Sequence, residues 1–250
     1  MVTSPPTAKR ETAWLSDMMM LVPPFIEQHG SIEDKNLANE MLRISKEVRV
    51  LLGQFFLYVA LTRSRDLASA LKTSDAKEGV AIVVGSLMRT MVVTVAALFD
   101  EDPRTSNISK VLRTALRPDR CQFFQSFHRQ YDVEPEAEQS RERLIKYGRA
   151  IRTGKLRDAI RRLVNVRNTF VAHIEFQPAA RADHDRAIVR DFDHVISAAA
   201  IIVGEANVFT LGRRVDISAL RRILREEADG LVSTLRRGLE QRASSLPIEL

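Results

Sequence analysis

The hydrophobic positions of this chain recur every three or four residues over most of its length, which is the period of an amphipathic helix. One such run predicts a long helix from Ile32 to Leu71, with an interruption near Gly53. A second run, from Ala76 to Phe99, is apolar nearly throughout. The alternation of apolar and polar residues that would indicate strands does not stand out anywhere. The pattern therefore predicts an all-α fold.

Caps and breakers set the ends of the predicted helices. Ser31 and Asp34 have the spacing of a capping box before the first long helix, and Gly154 precedes a helix from about Lys155 to Phe176. Further predicted helices cover Ile108–Leu116, Asp119–Tyr131, a segment beginning near Pro135, Arg186–Val208 and about 216–244. We predict a flexible tail with one short helix over residues 1–30 and one helical domain over residues 31–250.

The apolar run from Val80 to Phe99 is about long enough to span a bilayer. Arg89 lies at its centre, however, where an arginine costs about 3 kcal/mol on insertion scales. We therefore interpret the run as a central bundle helix that is buried nearly all round, and we predict no membrane partner. The single Cys121 excludes a disulfide framework, and no secretory signal opens the chain, so we expect a cytoplasmic protein.

The basic residues of the chain are concentrated in one window. From Arg141 to Arg167, ten basic residues face two acidic ones, a net charge of +8, whereas the rest of the chain sums to −2. Such a patch can attract a polyanion, although a solvated helix face gives the same pattern. The candidate RNA-binding residues in this window are Arg149, Arg152, Lys155, Arg157, Arg161 and Arg162.

The basic window ends in a short polar constellation on the predicted helix. Arg167 falls on the same apolar stripe as Leu163 and Phe170, so its guanidinium needs an anionic partner. His173 lies about 9 Å further along the helix axis and about 120° round it. The two side chains of one helix do not converge by spacing alone. A second copy of the helix, brought antiparallel by a dimer axis, could close the gap.

Arg167, Asn168, four spacer residues and His173 resemble the signature of the HEPN superfamily, a group of small all-helical modules that includes many metal-independent ribonucleases. Leu98-Phe99-Asp100, followed by Ser109-Lys110-Val111-Leu112, is similar to the AbiU-type abortive-infection branch of that superfamily. Together these features cover about residues 79–209. The resemblance implies a HEPN-like antiparallel helical bundle, here with additional N- and C-terminal helices.

The resemblance also implies an activity. In a homodimer, Arg167 and His173 of both protomers would cleave RNA through its own 2′-hydroxyl, and Asn168 would position them. His can act as acid or base near neutral pH, and Arg can hold phosphate oxygens, so neither a metal nor a cofactor is required. The implied role is toxin-like or defensive, with an antitoxin or another regulatory protein as a possible partner. In some HEPN toxins a Tyr two residues after the motif His is modified to silence them, but here Glu175 stands there.

Other interpretations stay open at this point. The same fold and basic surface would suit a non-catalytic module for dimerisation or nucleic-acid binding. Arg89 and Asp100 are eleven residues apart, so they could flank the site and orient Arg167, or form a structural ion pair. Asp100 could also pair with Arg167 itself. His184 and His194, with their neighbouring aspartates, lack any recognised ligand spacing, which argues against a metal site.

Overall fold

The computed structural model describes residues 22–245 except 73, 101, 103, 104, 106, 131, 132 and 173–181. Of residues 169–172, 182–187 and 243–245, it describes the backbone alone. Most of the predicted N-terminal tail, including any helix before residue 22, therefore lies outside the described residues.

The described residues form ten α-helices and no strand, which confirms the predicted all-α fold. The helices are α1 (Pro24–His29), α2 (Ile32–Arg63), α3 (Arg65–Leu71), α4 (Lys77–Leu98), α5 (Ile108–Ala115), α6 (Pro118–Gln130), α7 (Glu134–Ala150), α8 (Gly154–Ala172), α9 (Ala182–Leu211) and α10 (Ile217–Ser245). Gly154 has a φ of +72°, a conformation that favours glycine, where α8 begins. The predicted motif helix and C-terminal helix correspond to α8 and α10.

Two of the predicted boundaries are wrong. The first long helix runs through Gly53 without a break and ends at Arg63, because Ser64 caps a separate helix by accepting a hydrogen bond from the backbone N–H of Leu67 at 3.2 Å. A glycine inside a helix costs only about 1 kcal/mol, which the long packed helix tolerates. The helix predicted from Arg186 also starts earlier, since α9 already begins at Ala182.

The chain divides into two compact units. The first contains Met1–Lys46, Glu101–Arg149 and Ile202–Val215, and the second contains Glu47–Asp100, Ala150–Ile201 and Asp216–Leu250. This grouping does not test the single domain predicted over residues 31–250, which stays a prediction.

The first unit is built around aromatic side chains. The rings of Phe124 and Phe209 are both fully buried, with centroids 5.6 Å apart in an edge-on arrangement. Ile26 of α1 is also fully buried, so residues 24–29, within the range predicted as a tail, form a packed helix.

The predicted capping box at the start of α2 is present in the first unit. The carboxylate of Asp34 accepts hydrogen bonds from the backbone N–H and the hydroxyl of Ser31, at 2.8 and 2.6 Å. Arg120 of α6 donates to the other carboxylate oxygen at 2.6 Å. Because Asp34 is only 2% exposed, its charge depends on Arg120 for compensation.

In the second unit, α4 packs along α8, and α3 packs along α10. The buried residues of α4 begin at Met88, and none of the residues from 77 to 87 is buried. Ile82 is 69% exposed and Val83 is 48% exposed. The prediction of a helix buried nearly all round is therefore wrong for the first half of α4. Hydropathy measures how apolar a segment is, but it does not show whether other residues of the same chain pack against that segment.

Among the described residues, two helical segments are apolar enough to cross a membrane by length and composition alone. They are Lys77–Leu98, of which 28% of the most apolar window is buried, and Ile188–Leu211, of which 72% is buried. The second value is typical of a core helix in a water-soluble domain.

We expect Arg120→Met to lower the free energy of unfolding by about 3 kcal/mol, because it leaves the buried carboxylate of Asp34 without its cation. Arg117→Met is the control: this neighbouring arginine is half exposed where it pairs with Asp119, and its loss should cost less than about 1 kcal/mol. Urea denaturation measures both values. Equal losses of unfolding free energy in the two variants would show that the buried pair contributes no more to stability than the exposed pair.

We also expect one histidine to make the stability of the fold pH-dependent. His128 is 1% exposed, and burial lowers its pKa below the usual value near 6.5, although the Phe209 backbone and nearby glutamates act in the opposite direction. The unfolded chain therefore binds a proton at His128 more readily than the folded protein does. Its stabilising contribution is complete above the unfolded pKa and is lost as the pH falls below about 6.5.

The measurement is urea denaturation between about pH 7.5 and about pH 5.5. We expect His128→Phe to reduce the loss of stability on acidification, by at most about 1.4 kcal/mol per pH unit. His194→Phe makes the same exchange at an exposed histidine and should leave the pH dependence as in the wild type. A His128→Phe profile that parallels the wild-type profile would contradict the assignment.

Candidate functional site

The motif helix α8 buries one side and leaves the other open. Leu156 and Leu163 are 5% and 0% exposed, and Arg167 continues their stripe as a half-buried residue one turn further on. Its guanidinium donates from Nε and Nη2 to Oδ1 of Asn168, at 3.1 and 2.9 Å. The partner of Arg167 is therefore the neutral amide of the next residue along the chain, and neither Asp100 nor another anionic side chain that the structure describes.

The choice of an amide beside Arg167 has an electrostatic consequence. The amide oxygen of Asn168 orients the guanidinium through two hydrogen bonds, but it carries no charge that would cancel the charge of the arginine. Two of the five guanidinium N–H groups are used in this contact, and the others can donate elsewhere. The pair thus presents an oriented cation at the exposed side of Asn168, as a phosphate-binding arginine requires.

The third motif residue, His173, lies outside the described residues. The backbone is helical up to Ala172, the residue immediately before it. The catalytic role of His173, and its approach to Arg167, stay predictions.

All six candidate RNA-binding residues are exposed. On α8 and the turn before it, the exposed basic residues are Arg152, Lys155, Arg157, Arg161 and Arg162, and Arg149 is exposed on the last turn of α7. Arg157, Arg161 and Asn168 lie within about 40° of one another around α8, so these two arginines share a face with the motif amide. This arrangement fits a surface that binds a polyanion.

Arg162 differs from the other candidates. It makes a bidentate ion pair with the buried Asp191 of α9, with Nε–Oδ2 at 2.6 Å and Nη2–Oδ1 at 2.8 Å. These hydrogen bonds raise the pKa of the guanidinium further above its usual range. Arg162 thus stabilises the packing of α9 against α8. Although its side chain is exposed, its guanidinium is already paired and is less available to a nucleic acid than those of Arg157 and Arg161.

The two residues predicted to flank the site are placed differently. Arg89 is exposed on α4, and Asp100 is half-buried. Because α4 ends at Leu98, Asp100 lies beyond the helix, and helical spacing does not determine its position relative to Arg89. Their predicted role in orienting Arg167 stays a prediction.

The second sequence signature, Ser109 to Leu112, has a structural role in the first unit. Asn107 caps α5 by accepting a hydrogen bond from the backbone N–H of Lys110 at 2.7 Å. Lys110 pairs with Glu40 of α2 at 2.8 Å, while Val111 and Leu112 are buried. The signature thus fixes α5 against α2.

Within the part of the chain that the structure describes, no group of three or more His, Cys, Asp and Glu side chains could hold a metal ion. The side chains of His184 and its neighbouring aspartates lie outside that part.

A family model shows where this helical chain belongs. The model HEPN_AbiU2, described as AbiU2, matches residues 34–230, which is most of the chain. The chain therefore belongs to the AbiU2 family of HEPN proteins, which confirms the resemblance inferred from the motif. No curated protein and no solved structure matches the chain. The match extends well beyond the predicted range of about 79–209 and includes most of α2 and the first half of α10.

Proposed function

We propose that this protein is a metal-independent endoribonuclease of the HEPN type, acting in defence or in toxin-like RNA cleavage. The observation that carries the proposal is the Arg167–Asn168 pair, an oriented cation within the family motif and beside exposed basic residues of the same helix. RNA is the proposed substrate, and the cytoplasm is the proposed location. An antitoxin or another regulatory protein is the proposed further partner.

The proposed reaction uses groups that the motif supplies. His173 of one protomer takes the proton from a 2′-hydroxyl, and the resulting oxygen attacks the adjacent phosphorus. His173 of the second protomer gives a proton to the departing 5′-oxygen. Arg167 stabilises the negative charge that develops on the phosphate oxygens, and Asn168 holds its guanidinium in place. The products are a 2′,3′-cyclic phosphate and a 5′-hydroxyl, and no metal takes part.

The proposed homodimer has support in the second unit. The helix α4 packs along α8, and its first half leaves Ile82 and Val83 exposed. Covering apolar side chains is worth about 25 cal/mol per Å² of apolar surface removed from water. A second copy seated on this helix would cover them and would also lie next to the motif helix. In this arrangement each protomer would contribute one motif to a shared cleft.

The alternative is a non-catalytic helical module that dimerises or binds nucleic acid through the same surface. The basic face of α8 and the apolar half of α4 would serve such a module equally well. Cleavage activity is the property that separates the two proposals.

We expect the purified protein to cleave a labelled mixed-sequence RNA in excess EDTA, and His173→Ala to reduce the rate at least about a hundredfold through loss of acid–base catalysis. Arg167→Ala should reduce it similarly. His194→Ala is the matched control, because His194 is exposed on α9 and outside the motif. If all variants cleave equally, the activity comes from another site or from a contaminant. If the wild type cleaves no RNA, the non-catalytic alternative replaces the proposal.

We expect Ile82→Glu to convert a dimer into a monomer, because the charge would have to be buried in the interface between two copies. Analytical ultracentrifugation of wild type and variant measures the change. Val50→Glu, at an apolar residue of α2 that is 51% exposed, is the matched control and should leave the dimer intact. A dimer that persists in Ile82→Glu would exclude α4 as its interface. Sedimentation of the wild type with lipid vesicles would instead assign α4 to a membrane.

A further inference from the structure

A large groove lies in the second unit, and neither of the motif residues Arg167 and Asn168 lines it. It has a volume of about 1400 Å³ and runs between the C-terminal turns of α2, the start of α3, the first half of α9, and α10. Its apolar lining includes Phe55, Phe56, Tyr58, Val59 and Val232. The aromatic side chains among these are at most 7% exposed, so the exposed groups along the groove are mainly its charged residues.

The charges around the groove do not cancel. Asp66 is paired with Arg236 at 3.1 Å, and Asp193 is paired with Arg221 at 3.2 Å. Among the residues that the structure describes, the lining residues Arg63, Arg190, Arg225 and Asp229 make no ion pair. Among these lining residues, three exposed guanidinium groups therefore outnumber one carboxylate, and the groove has an excess of positive charge.

One of these cations is held in a defined orientation. The guanidinium carbon of Arg225 lies 5.1 Å from the centroid of the Phe56 ring, and that of Arg221 lies 5.8 Å from the same centroid. Stacking on a ring engages the face of a guanidinium and leaves the N–H groups at its edge free to donate. Arg225 is thereby positioned for an anion without being neutralised by a carboxylate.

We propose that this groove binds a short stretch of single-stranded RNA, with Arg63, Arg190 and Arg225 on its phosphates. A positively charged groove that follows the backbone is a usual means of binding single strands without reading sequence. Its volume exceeds the range of about 300–1000 Å³ of small-molecule pockets, and it has room for more than one nucleotide. Asp229 adds an acceptor for base amino groups.

Strand binding in the groove does not depend on cleavage. Only the interpretation of that strand as part of a substrate rests on the proposed ribonuclease function. The test therefore uses a labelled 2′-O-methyl strand of about 12 nucleotides, which lacks the 2′-hydroxyl needed for cleavage. Fluorescence anisotropy with the full-length wild-type protein measures its affinity over a range of salt concentrations.

We expect Arg225→Gln and Arg190→Gln, which lie on different helices, each to weaken binding about tenfold. Each should also lower the slope of log affinity against log salt concentration by about 0.7, the value for one lost phosphate contact on a single strand. Arg222→Gln is the matched control: it makes the same charge change on α10, but Arg222 pairs with Glu226 and does not line the groove. It should leave both quantities as in the wild type.

Other results would overturn the inference. Unchanged binding in both groove variants would place the strand elsewhere, and an equal loss in Arg222→Gln would indicate the general charge of α10. Weaker binding with an unchanged salt slope would indicate a structural effect instead of a lost phosphate contact. If strand binding maps to the groove while unmodified RNA is never cleaved, the inference stands and the ribonuclease proposal fails. If RNA is cleaved but the groove variants bind the strand as the wild type does, the ribonuclease proposal stands and the inference about the groove fails.

Discussion

The packing of α8 along α4 is the constraint on which the proposed site depends. It requires an apolar stripe on the motif helix, and it therefore determines which residues of the basic window can point outwards. Leu156 and Leu163 take the buried positions, whereas Arg157 and Arg161 remain outside. Arg167 stands where the stripe ends, so it is partly desolvated and must find a partner. The packing of α8 along α4 thus accounts both for the basic face and for the contact that Arg167 makes with Asn168.

Much of the fold could be predicted because helical periodicity is a local property. The stripe of α8 and the half-buried position of Arg167 follow from the spacing of apolar residues, and the capping box at Ser31 follows from its side-chain chemistry. The break in the first long helix was predicted at Gly53 but lies at Ser64. A capping hydroxyl there gains a hydrogen bond, whereas a glycine within a packed helix only loses some propensity.

The features that could not be predicted depend on contacts between residues far apart in the chain, or on the length of a side chain. Arg162 and Asp191 are 29 residues apart in the chain, so only the folded structure reveals that one candidate RNA-binding residue is already paired. Successive helix residues do not normally face each other, and the contact between Arg167 and Asn168 depends on the length and fork of the arginine. The exposure of Ile82 depends on which surfaces cover it.

The Arg162–Asp191 pair has a consequence for how this protein could be controlled. A bidentate contact between a planar guanidinium and a buried carboxylate restricts both the distance and the relative orientation of the two groups. It therefore opposes rotation of α8 about its own axis. A regulator could not easily switch the motif off by rolling the helix and hiding Arg167. Inhibition would more readily come from an obstruction laid over the exposed face, or from changing how two copies of the chain meet.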